Sequence, residues 1–128
     1  TDVLGATCIG LITSVICYFM VAVVKRVCGY DDALDAFGVH GIGGIIGSIL
    51  TGVFATKAVT GGACGALYGD WHQLGVQLIA TVFGIVFSGV LTWIIYVVID
   101  KTVGMRVDTR VEEEGLDIYE HGESAYNL

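Results

Sequence analysis

Few side chains among these 128 residues could do chemistry, and one of them stands apart. His40 is the only acidic or basic side chain inside either of the first two long apolar runs, residues 3–24 and 36–56. An imidazole titrates near neutrality, so it can accept a proton, hand one on, or hydrogen-bond a small polar solute. The competing reading is structural, a neutral ring bonded to a neighbouring helix. Gly43, Gly44 and Gly47 follow at helical spacing on the same face and leave a strip without side chains. That strip either admits a solute or seats another helix, since Gly43 with Gly47, and Gly44 with Ser48, are small-xxx-small pairs.

The other candidates carry less. His72 lies beside Trp71, where a polar ring costs little at a membrane interface. His121 falls in a hydrophilic tail and is expected to be solvated or to contact protein. Cys8, Cys17, Cys28 and Cys64 show neither CxxC spacing nor a histidine partner pattern, so no metal site, redox pair or cofactor is implied. Cys8 and Cys17 read as small hydrophobes in an apolar run. Asp31, Asp32 and Asp35 precede or open a helix, whose positive end accounts for at least one of them as a cap; Asp35 is given a structural role.

The elements that must position these residues follow from composition. The chain is 55% hydrophobic and 15% charged, with 19 glycines and no proline, which points to lipid rather than water as its solvent. Residues 3–24 are an uncharged run of 22, enough at about 1.5 Å per residue to cross a hydrocarbon core of about 30 Å. Residues 36–56 form a second span, and residues 71–99 a third of 29 uncharged residues, about 43 Å long, which must tilt, bend or protrude. Lys25-Arg26 ends the first run, and the glycine-rich residues 57–70 read as a surface loop. Trp71, with Trp93 and Tyr96 near the far end, fits the two headgroup levels. Because lipid forbids open backbone edges, the spans are helices, and the fold class is all-α, a polytopic membrane protein.

Most of the net charge of −7 sits in residues 106–128, where seven acidic residues face Arg106 and Arg110. No basic stretch with interleaved aromatics is present, which excludes nucleic-acid binding. Residues 1–105 thus read as membrane helices with their loops, and 106–128 as an acidic tail. Lys25-Arg26, Lys101, Arg106 and Arg110 fall on one side of the membrane and Lys57 on the other, which puts the amino end outside and the tail in the cytoplasm. The chain opens Thr1-Asp2 without methionine or a signal-like segment, so its start reads as a cut.

The wording of the chain is more specific than its composition. Asp35-Ala36-Phe37-Gly38-Val39-His40-Gly41-Ile42-Gly43-Gly44, followed by Leu50-Thr51-Gly52-Val53-Phe54-Ala55, resembles the tenth helix of the ammonium transporter family, the Amt, Mep and Rhesus proteins. Trp71-His72-Gln73-Leu74 with Val76-Gln77-Leu78 resembles the start of the eleventh, and Thr102-Val103-Gly104-Met105-Arg106-Val107 the exit into the tail. Glu114-Gly115-Leu116-Asp117 and His121-Gly122-Glu123-Ser124-Ala125-Tyr126 are similar to the tail of microbial members.

The resemblance implies three helices of an eleven-helix subunit, usually a homotrimer in the cell membrane, each subunit with a narrow apolar pore lined by two facing histidines. His40 matches the second of that pair; its partner and the gate belong to helices this sequence lacks. A tail of this kind is thought to fold on the cytoplasmic face and help dock a PII-type signal protein, so Arg106, Glu114, Gly115, Asp117, His121, Gly122 and Glu123 become regulatory candidates. The expected activity is transport of ammonium or ammonia, not enzymatic catalysis. The rival expectations are an ammonium sensor that signals through its tail and a structural helical subunit without a pore.

Overall fold

The computed structural model describes residues 1–123, so Ser124, Ala125 and Tyr126 of the tail motif lie outside the described residues. Described residues form helices and connecting turns, in two compact units, Thr1–Val86 and one that begins at Phe87. Three helices are long and apolar enough to cross a membrane: Val3–Cys28, Phe37–Phe54 and Trp71–Thr102.

The first of these is compound. Helix α1 (Val3–Phe19) is started by the Asp2 carboxylate, which accepts the Gly5 N–H at 2.7 Å. A wide π-helical turn, Met20–Val24, follows, then α2 (Lys25–Cys28). The charged pair Lys25-Arg26 therefore does not end the helix as the sequence suggested. It forms the last turn, where cations meet the negative end of the helix dipole. The stop is Gly29, left-handed at φ 63°, whose N–H bonds the Lys25 carbonyl at 2.9 Å.

The second span is also compound, with a π-helical turn at Phe37–Gly41 leading into α3 (Ile42–Phe54). His40 thus lies in the first turn of its helix. The chain then turns extended at Ala55. Residues 57–70 are more ordered than a surface loop, with α4 (Lys57–Thr60) and a 3₁₀ turn, Ala66–Tyr68, each closed by a left-handed glycine, Gly61 and Gly69. Gly65 fastens this segment back onto the helix it left, its N–H bonding the Ala55 carbonyl at 2.8 Å. Ala55 and Thr56 are buried beneath it. The third span is one continuous helix, α5 (Trp71–Thr102), about 48 Å long and extending through Asp100 and Lys101. The Asp70 carboxylate accepts the His72 N–H at 3.0 Å and caps its start. Beyond it, α6 (Thr109–Glu114) and α7 (Leu116–His121) lie in the second unit.

Ala55 and Val111 are the only buried apolar residues among those described. Large side chains such as Leu11, Val15, Ile79, Phe83 and Trp93 are exposed along the long helices. Faces this apolar are stable against lipid or further protein, not water. Three hydroxyls within the spans bond back onto their own helix, Thr7 on Val3, Ser14 on Gly10 and Thr51 on Gly47, each at the carbonyl four residues back, while the buried Thr13 hydroxyl has no hydrogen-bond partner among the described residues.

Inside the first unit, α3 is packed on two sides by small residues. A Cβ on Gly43 would meet Cys17 Sγ at 3.3 Å and Thr13 Cγ2 at 3.6 Å, so this glycine lets α1 come close. A Cβ on Gly52 would lie 2.9 Å from the Leu74 Cα, so this one seats α5. Between α3 and α5 runs a short polar chain: Thr81 Oγ1 donates to Ser48 Oγ at 2.9 Å, and Ser48 Oγ donates to Gln77 Oε1 at 3.1 Å.

Two outcomes test this packing. Gly65→Ala would force a Cβ to within 2.2 Å of the Val53 carbonyl oxygen. It should destabilise the detergent-solubilised protein by about 1–3 kcal/mol in thermal unfolding, whereas Gly62→Ala, in open space, should change it by less than about 0.5 kcal/mol. A double-mutant cycle of Ser48→Ala with Gln77→Leu should return a coupling of about 0.6 kcal/mol, typical of hydrogen bonds between helices in a bilayer. Strict additivity would mean that the bond contributes nothing.

Candidate functional site around the turn that carries His40

The wide turn Phe37–Gly41 exists because several groups hold it open. An α-helix would use each carbonyl for the N–H four residues on; a π turn delays that bond by one residue and leaves the backbone looser. Here the Ile42 N–H bonds both the Phe37 and Val39 carbonyls. At the open end, Asp32 Oδ2 accepts the N–H groups of Phe37 at 3.0 Å and Gly38 at 3.2 Å, satisfying donors that have no partner within the helix. Of the three aspartates, at least one of which the sequence assigned to a cap, Asp32 is the one that caps this helix.

Asp35 does something else. Its carboxylate Oδ1 meets Lys25 Nζ at 2.6 Å, joining the end of the first span to the start of the second. The same ammonium donates to the Asp32 carbonyl. Asp35 is also the one non-glycine described residue with positive φ, at 55°. Aspartate enters this left-handed region more readily than most residues, because its short side chain bonds locally.

From the side, the first span presses on the same turn. A Cβ on Gly38 would lie 2.9 Å from Val21 Cγ2, so only glycine lets the π turn at Met20–Val24 lie against the one at Phe37–Gly41. The Cys17 thiol reaches the Val39 carbonyl at 3.7 Å, a weak bond that makes this cysteine more than a hydrophobic filler. The Phe37 ring lies over Gly41, where a Cβ would be 2.9 Å from Phe37 Cδ2, and meets Tyr30 edge to face with centroids 6.1 Å apart.

His40 itself is exposed, and its ring has no hydrogen-bond partner among the described residues. It does not act as glue to either helix of the first unit. The glycines beyond it divide. Gly43 is taken up by α1, while a Cβ on Gly44 or Gly47 would meet nothing within 4 Å. His72 is exposed at the start of α5 beside exposed Trp71. No cluster of three or more histidine, cysteine or acidic side chains able to hold a metal ion occurs among the described residues.

In the second unit, Arg106 forks onto Glu112, with Nε to Oε1 at 2.8 Å and Nη2 to Oε2 at 3.0 Å, while Arg110 pairs with Glu114 at 3.0 Å. Gly115 at φ 95° separates α6 from α7, and Gly122 at φ 64° closes α7. Asp117 is in the first turn of α7, where its charge suits the helix dipole, and His121 in the last. Glu123 donates its N–H to the Asp117 carbonyl at 3.0 Å. Sequence reasoning had singled out these tail residues but neither the Arg106–Glu112 fork nor the Ser48–Gln77–Thr81 chain. Both depend on side chains meeting across turns or helices. The one usable signal was polar residues recurring at Ser48, Gln77 and Thr81 inside apolar runs.

Comparison with known proteins places the chain. The family model described as Ammonium Transporter Family matches residues 1–126. The chain is 50% identical over 127 residues to an ammonium transporter of Aquifex aeolicus, covering 99% of this chain and 30% of that protein. It is 43% identical over 119 residues to an ammonium transporter of Bacillus subtilis, covering 92% and 30%. To ammonium transporter 1 of Dictyostelium discoideum it is 42% identical over 121 residues, covering 94% and 25%. The chain thus spans between a quarter and a third of the length of these relatives. Matched along nearly its whole length, it belongs to the ammonium transporter family.

Proposed function

We propose that the protein of which this chain is a part moves ammonium or ammonia across the cell membrane, with His40 as one of a pair of pore histidines. The observation that carries this is the conjunction of family membership with a ring at position 40 that bonds to neither neighbouring helix. An imidazole bonded to α1 or α5 would be committed to packing within this unit; this one keeps its ring nitrogens open to a solute.

The chemistry answers a physical problem. Placing a bare ammonium-sized ion in a medium of low dielectric costs on the order of 20 kcal/mol in the idealised limit, so an apolar pore cannot take it unchanged. Either the ion leaves its proton near the mouth, or an acceptor along the path compensates it. An imidazole at position 40 can accept a hydrogen bond or the proton itself through one nitrogen and donate through the other. In this reading Gly44 and Gly47, open beyond the ring, keep side chains out of the path, and Gly43 serves helix packing.

Residues 1–105 form the membrane part and 106–128 a regulatory arm, with the amino end outside and the arm in the cytoplasm, in keeping with the excess of Lys and Arg on that side. The arm offers Glu114, Asp117 and Glu123 as acidic contacts, and the turns at Gly115 and Gly122 as hinges for folding against the cytoplasmic face or a PII-type protein. The assembly is a homotrimer, the usual state of proteins it resembles, and the activity is transport, not catalysis.

His40→Ala in the complete protein, reconstituted in vesicles, should lower ammonium-driven current by at least about tenfold or change its dependence on ammonium. Unchanged uptake and current would remove His40 from the pore. Ammonium-dependent signalling without any flux would instead make the protein a sensor.

A further inference from the structure

We infer that Lys25, Asp32 and Asp35 act together as the positioning clamp of the His40 ring, an inference that rests on His40 being the pore residue. The three residues form one connected device. Lys25 Nζ is tied to the Asp35 carboxylate at 2.6 Å and to the Asp32 carbonyl, and the Asp32 carboxylate in turn holds the Phe37 and Gly38 N–H groups. Two residues further on stands His40, still within the wide turn whose first N–H groups those bonds cap.

The wide turn decides where the ring points. Relative to an unbroken α-helix, a π turn adds the equivalent of one residue, an angular shift on the order of 100° spread over its length. Loss of the Asp32 cap would let Phe37–Gly41 tighten toward α-helical bonding and turn His40 relative to Gly44 and Gly47. Lys25 matters because Asp32 lies in a connection that could otherwise swing: between Tyr30 and Asp35 the backbone-to-backbone bonds among the described residues are only the Asp35 N–H on the Asp32 carbonyl and the Val39 N–H on the Asp35 carbonyl. One ammonium anchored in the last turn of the first span fixes both aspartates at once.

Stability alone is a weak account of this arrangement. The Lys25 and Asp35 side chains keep 27% and 34% of their exposure, and ion pairs that open to water contribute little net free energy. Asp35 is moreover held left-handed at φ 55°, a sparsely populated conformation that persists where surroundings over-determine it. A strained residue locked by a charge from another helix fits a device that sets geometry. The two facing π turns, joined through Gly38 and Val21, complete the seat from the opposite side.

The test uses the complete transporter in lipid vesicles, with ¹⁵N-labelled histidine, and reads both transport and the imidazole nitrogen signals of His40. Lys25→Met should shift the His40 signals, leave those of His72 in place, and reduce ammonium-driven transport roughly fivefold or more. Lys25→Arg, which keeps the charge and its donors, should restore most of both. If Lys25→Met does not reach the membrane, Asp35→Asn keeps the shape of the site, and the same shift and loss are expected of it. Unmoved His40 signals, or equal displacement of His40 and His72, would overturn the clamp. Failure of the pore reading looks different: His40→Ala would leave transport intact while the clamp variants still moved the ring signals.

Discussion

A backbone amide in hydrocarbon has no water to bond, and that constraint governs how this chain can be built. Every long element is a helix because only a helix satisfies its own N–H and C=O groups along its length. The hydroxyls of Thr7, Ser14 and Thr51 follow the same rule, turning back onto carbonyls four residues earlier. Where the helical pattern is broken, at the π turn of Phe37–Gly41, the released groups are met at once by Asp32, Cys17 and the doubly used Ile42 N–H. Irregular backbone is tolerated at that depth only where other groups complete it.

Packing adds little apolar burial of the kind that stabilises soluble proteins. The long helices meet through glycines and a few polar bonds, and their large side chains face outward. This is the economy of a membrane protein, in which lipid replaces the core and close backbone approach replaces hydrophobic collapse. It also explains why a wide turn can survive near a helix start: glycine at Gly38 lets Val21 come close enough to brace it.

Much of this was legible in the sequence. The three uncharged runs gave the spans because lipid thickness imposes a length that composition alone can report. His40 stood out as a candidate as well, since a titratable group in such a run is conspicuous. The helix ends were less so. Lys25-Arg26 looked like a boundary, yet charge does not stop a helix; the left-handed Gly29 does. The π turns left no trace in the pattern, because Met20–Val24 is as apolar as its neighbours and the glycines of Phe37–Gly41 continue through the rest of the same run, while the extra residue per turn is met by contacts from other segments. The same blindness covers the division of labour among the aspartates, where Asp32 caps and Asp35 pairs. Sequence position allowed either to do both.

The short knot formed by Gly65 on Ala55 separates two lengths of chain that would otherwise depend on each other. Residues 57–64 hang from this closed base as an excursion whose ends are already joined. Extra residues there would lengthen the excursion at an entropic cost that grows only logarithmically, without moving the point at which the next crossing begins. The connector can therefore drift in length between related proteins, or accept a reporter tag, while the spacing of the two helices it links stays as it is.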